Sequence, residues 1–156
     1  MSEPLAIYLH DHLAGSTLAL DLLDSMRKEH EGEPLGQFAQ TLRAEIEADR
    51  DVLRTLAERI GPGSNPIKDL GAWMSEKVSR IKLGGQSGGD LTTFEALEFL
   101  ELGIRGKRLL WVVLSEAATN DERLQGLDYG KLVERAETQE AQVEKRRLQI
   151  GRTALR

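Results

Sequence analysis

Residues 29–38 read Glu-His-Glu-Gly-Glu-Pro-Leu-Gly-Gln-Phe, EHEGEPLGQF. Before this stretch, Leu5, Leu9, Leu13, Leu20 and Leu23 recur at helical spacing; after it, Leu35, Phe38, Leu42, Ile46, Leu53, Leu56 and Ile60 draw a second stripe. Apolar residues three and four apart share one face of a helix. Gly32 and Pro34 interrupt that pattern, since proline removes an amide donor and clashes with the preceding turn while glycine favours a bend. The stretch is therefore a tight turn between two long helices, about 4–31 and 35–60, which must fold back as an antiparallel hairpin. Ser2-Glu3-Pro4 supplies a start for the first, with proline in its first turn, and Gly61-Pro62-Gly63 ends the second.

Further along, Ser64-Asn65-Pro66 is another cap-and-proline start, and Ile67, Leu70, Met74, Val78 and Ile81 predict a shorter helix over about 66–82. The glycine-rich GGQSGGD, 84–90, follows. Thr92-Thr93-Phe94-Glu95 matches a capping box, so a third long helix is predicted over about 92–118. After TNDERLQG, 119–126, Tyr129, Ala136, Val143 and Ile150 recur every seven residues with Leu132 and Val133 alongside. They predict a fourth, polar helix over about 128–150, and no stretch alternates as a strand does.

Composition narrows the function. The chain of 156 residues is 40% hydrophobic and 30% charged, enough for one domain spanning 1–156 with a full core. A net charge of -5 offers no basic field for nucleic acid or an anionic membrane, so neither is expected as a partner. The absence of cysteine removes disulfides, thiolate catalysis and cysteine-based metal motifs. The longest purely apolar run, Leu109 to Leu114, falls far short of a membrane span, and the start of the chain lacks a basic, apolar leader. The protein is expected in the cytoplasm.

The connections read tight, long, tight. They predict an all-α, antiparallel four-helix bundle of two helical hairpins, with one long crossover containing a short fifth helix. In this architecture the chain resembles the ferritin-like superfamily, including its small bacterial members. Di-iron and di-manganese members of that superfamily use one glutamate on each of two helices and a Glu-x-x-His pair on each of the others. Here the residues three before His10, His12 and His30 are Ile7, Leu9 and Arg27, so no such pair exists. The fourth helix offers Glu134, Glu137, Glu140 and Glu144 without a histidine.

Within the third helix, ELGIRGKRLLW, 101–111, turns Lys107 toward the apolar side between Gly103 and Leu110. If the second and third helices run parallel, counting from their starts sets Asp49 level with Lys107. Counting across the tight turns brings Ser16 level with Asp49, and Gln139 with Lys107. Ser16, Asp49, Lys107 and Gln139 would then form one polar core layer, with Glu45 as the lysine's partner if the alignment slips by one turn. A buried ion without a partner costs several kcal/mol, so Lys107 is expected to pair with Asp49 or Glu45 rather than lay its stem along the core rim. Gly103 and Gly106 are expected to permit close packing there. The ammonium would fill the electrostatic role of a metal cation in relatives. The alternative is a degenerate site of His12, Glu45 and Asp49 holding iron, manganese or zinc, with Glu95 and Glu98 at its edge. In the metal-free case His12 is expected to bond Ser16.

Other chemistry falls away. Asp11 lies about 100° round the helix from His12 and cannot orient it toward Ser16 for nucleophilic work. The glycine-rich stretch lacks the strand and Lys-Ser/Thr of a phosphate loop. Lys145, Arg146, Arg147, Arg152 and Arg156 complement the dipole at a helix C-terminus, and could also meet the glutamates of a neighbouring subunit. Trp73 and Trp111 are read as packing residues. The expected function is that of an interaction or structural protein without catalysis or cofactor, self-associating through a helix face into a homo-oligomer, in the simplest case a dimer. The alternatives are a metal-binding protein or oxidase at the degenerate site, and a ligand cleft between the crossover helix and the bundle.

Overall fold

A computed structural model describes residues 3–63, 76, 79 and 89–156. Four long helices carry these residues: α1 Pro4–Glu29, α2 Pro34–Ile60, α3 Gly89–Ala117 and α4 Tyr129–Ala154, with a short 3-10 turn Glu122–Leu124 before α4. The described residues include no strand. Glu76 and Ser79 are helical and exposed; the rest of the expected crossover helix, with Trp73, lies outside the described residues.

Pro4 and Pro34 each open their helix, where a missing amide costs nothing. The turn between α1 and α2 closes through Gly32, whose φ of 81° is readily reached only without a Cβ, and Gly36, where a Cβ would run into the His30 carbonyl. α3 starts at Gly89, three residues earlier than expected, so Thr92 and Glu95 lie inside the helix and no capping box forms. Asp90 takes the first-turn acidic place instead, and the Thr93 hydroxyl bonds back to the Gly89 carbonyl. α4 is capped by Asp128, which accepts from the Lys131 amide, and runs to Ala154, past the last apolar marker at Ile150. Its final turn is held by Thr153 donating to Asp90 on α3.

α1 packs chiefly on α2, and α3 on α4, with α1 also meeting α3. His30 reaches from the end of α1 to Thr93 near the start of α3, and Glu3 at the start of α1 receives Arg123 from beyond the end of α3. α3 therefore runs antiparallel to α1 and parallel to α2. The buried side chains fall into two apolar blocks. One holds Leu22, Leu42, Ile46, Leu97, Leu100 and Ile104; the other holds Leu9, Leu53, Leu56, Leu110, Trp111 and Leu114. Each fully buried leucine of these blocks contributes about 1.5–3 kcal/mol relative to exposure. Large apolar side chains left exposed are Leu91, Leu102, Leu109, Val112 and Val113 on α3, Leu148 on α4 and Leu155 just past its end.

Candidate functional site

Between the two apolar blocks, one turn beyond Ile46 on α2 and Ile104 on α3, a charged layer crosses the core. Lys107 Nζ donates to Asp49 Oδ2 at 2.6 Å and to Gln139 Oε1. The Gln139 amide donates in turn to Asp49 Oδ2 and Glu45 Oε1, each at 3.3 Å. Asp49 is 3% exposed and Gln139 fully buried, while the Lys107 side chain keeps 15% of its surface in water. The lysine thus enters from α3, its carboxylate from α2 and its amide from α4, so α3 and α2 are joined across the bundle diagonal.

A fifth side chain completes the layer. Arg135, one turn before Gln139 on α4, donates from Nη2 to the Glu45 carbonyl at 3.0 Å and sets Nε 3.4 Å from Asp49 Oδ1 and 3.9 Å from Glu45 Oε1. Two acids, two bases and an amide balance to zero formal charge. Burial pushes the Lys107 ammonium below its ordinary pKa, with the Asp49 carboxylate opposing that shift.

Ser16 does not join. Its hydroxyl donates to the Leu13 carbonyl of its own helix at 2.6 Å, a local bond that competes with any distant partner. The expected His12–Ser16 bond does not form either. The His12 ring instead packs edge-on against Tyr8, centroids 4.8 Å apart, and burial lowers its pKa. Gly103 and Gly106 do not mark close packing either, since a Cβ on either would meet nothing within 4 Å.

The donor set does not fit a metal. Among the described residues no three histidine or carboxylate side chains gather around a common point, so His12, Glu45 and Asp49 do not form the alternative site. Asp49, the innermost carboxylate, is already engaged by an ammonium and faced by a guanidinium, which would repel a metal cation.

Glu95 and Glu98, expected at the edge of that alternative site, are exposed on α3. Glu98 belongs to a second charged cluster, between α3 and α4. Arg147 donates to both oxygens of Glu144, at 2.6 and 2.9 Å, and to Glu98 at 3.2 Å, and its Nε lies 3.3 Å from Glu101. One cation serves three carboxylates. Burial and the neighbouring Glu144 push Glu101 up to about 7, whereas the Arg147 guanidinium holds Glu144 down at about 2.

At the end of the bundle where α1 turns into α2, a cleft of about 300 Å³ is lined by His30, Glu33, Asp90, Thr93, Arg146 and Gln149, among others. His30 bonds Glu33 through Nδ1 at 2.9 Å and Thr93 through Nε2 at 3.3 Å, fastening the first hairpin to α3. The ligand cleft expected beside the crossover helix lies outside the described residues.

No family model, curated protein or solved structure matches the chain.

Proposed function

We propose that this chain is a non-catalytic structural or interaction bundle of ferritin-like architecture, in which the Lys107 ammonium takes the central place that a metal cation holds in metal-binding members. It works in the cytoplasm as a homo-oligomer. Support for the ferritin-like reading comes from the parallel α2 and α3 flanked by two tight hairpins. The observation that carries the proposal is the pairing of Lys107 with Asp49 and Gln139 between two apolar blocks. A resident cation on a covalent stem satisfies the core carboxylate without a metal and presents no open coordination position to a substrate.

Elemental analysis of protein purified without chelator or affinity metal tests this reading. Folded, metal-free protein is expected. Stoichiometric iron, manganese or zinc, lost in Glu45→Ala or Asp49→Ala, overturns it.

A further inference from the structure

The large apolar side chains that remain exposed among the described residues all belong to α3, α4 and the residue that ends α4, Leu155. Helical spacing sets most of them on the outer side of that pair. Along α3 the sequence of this face is Leu91, Glu98, Leu102, Arg105 and Leu109; along α4 it is Glu137, Ala141, Lys145, Leu148, Arg152 and Leu155, and every one of these residues is exposed. Apolar groups thus alternate with charges of opposite bias: mainly acidic toward the start of α3, mainly basic toward the end of α4.

Bonds already present within the chain fix the relative heights of the two helices. Glu98 is level with Arg147, Arg105 with Glu140, and Asp90 with Thr153. A two-fold axis parallel to the helices and just outside this face changes no height. It lays α3 of one copy antiparallel on α4 of the other and repeats the contact in reverse, as a closed isologous interface requires. The observed heights then bring Leu91 to the partner's Leu155, Glu95 and Glu98 to the partner's Arg152 and Lys145, and Arg105 to the partner's Glu137. Leu102 comes level with the partner's Ala141, between the Glu98 and Arg105 contacts, and the partner's Leu148 comes level with the stretch between Glu95 and Glu98. Opposite charges meet from Glu95 to Arg105, while a like-charged alignment would be penalised.

We propose that the outer α3–α4 face is a homodimer interface, closed by a two-fold axis parallel to the bundle. The proposal rests on the self-association in the proposed function but is independent of Lys107 as core cation, and its test separates the two.

The chain is examined by sedimentation equilibrium across a concentration series, beside Leu109→Glu/Leu148→Glu. Wild type is expected near twice the 17.4 kDa chain mass, with association weakened at least about ten-fold in the variant while its helical signal and urea midpoint stay unchanged. The absence of cysteine permits a test of alignment: Leu91→Cys chains mixed with Leu155→Cys chains should form disulfide-linked heterodimers that neither forms alone. A wild type that stays monomeric at every concentration overturns the dimer and leaves the Lys107 reading intact. A dimer that survives the double substitution, or cross-links without the Leu91–Leu155 preference, overturns this face. A monomer whose urea midpoint falls in Leu109→Glu/Leu148→Glu shows the face covered from within the chain, and also overturns it.

Discussion

The two hairpins solve the same packing problem differently. In α1 and α2 no large apolar side chain stands exposed, whereas α3 and α4 bury one face and leave leucines and valines on another. The ionic groups differ as well. α2 supplies the two acids of the layer, Asp49 and Glu45, while α3 and α4 supply the lysine, the glutamine and the arginine that surround them, and share a Glu–Arg cluster along their seam. Helices of similar length, 26 to 29 residues, therefore do not make equivalent halves. The first hairpin supplies the acids of the central layer and leaves no large apolar side chain exposed; the second supplies its cations and carries the exposed leucines and valines.

The sharpest way to break this contrast is at the buried bond between Lys107 of the second hairpin and Asp49 of the first. Asp49→Ala, which strands Lys107 beside Arg135, is expected to destabilise by about 3–5 kcal/mol in urea denaturation, and Lys107→Ala by a similar amount. Lys107→Met should cost clearly less than Lys107→Ala, because it fills the volume that alanine leaves empty. A near-zero effect of Lys107→Ala would show that the layer is a surface pair in energetic terms.

Leucine truncations probe the apolar half of the comparison. Leu22→Ala in the first hairpin and Leu97→Ala in the second are each expected to cost about 2–5 kcal/mol, as buried leucines do. Leu109→Ala should change the stability of the monomer by less than about 0.5 kcal/mol. Equal losses at Leu97 and Leu109 would erase the distinction between core and outer face in α3.

Where the hairpins are fastened at one end, His30→Ala removes the bonds to Glu33 and Thr93 and is expected to cost about 1 kcal/mol, with faster amide exchange at the start of α3. The smallest effect belongs to the seam. Glu101, raised from 4.5 to about 7, binds a proton in the folded chain that the unfolded chain has released, so its contribution falls as pH rises through that window. Glu144, lowered to about 2, acts oppositely: its stabilisation is present above its unfolded pKa and lost as pH falls toward 2. Glu101→Gln should flatten the decline between pH 5 and 8 and raise stability at pH 8 by about 0.5–1 kcal/mol, a figure reduced for solvent screening. An unchanged pH profile would show that Glu101 titrates as an ordinary carboxylate.

Much of this architecture was legible because helix period, proline and glycine act locally. Gly32 and Pro34 mark the turn from α1 to α2 without reference to anything else in the chain. Lys107 and Asp49 could be brought together because counting from the starts of two parallel helices converts sequence distance into height, and Gln139 by counting across the turn that follows α3. Arg135 escaped for the opposite reason: on a helix as charged as α4, one more basic residue looks like any solvated side chain, and only its position one turn before Gln139 hinted otherwise. Ser16 was placed at the right height, but a helical wheel does not include the carbonyl three residues back that claims its hydroxyl. The Thr92–Glu95 pattern failed similarly, since α3 begins upstream of it at Gly89.

The charged layer has a further mechanical consequence. The apolar blocks above and below it are built largely from leucines, and one leucine-lined height resembles the next. Sliding one hairpin past the other by a helical turn, about 5.4 Å, would exchange many aliphatic contacts for similar ones. Lys107 is different, because the same slide would leave it among leucines and leave Asp49 without its cation. The layer therefore acts as an index mark, singling out one longitudinal setting of the two hairpins from a series that greasy side chains alone would leave nearly degenerate.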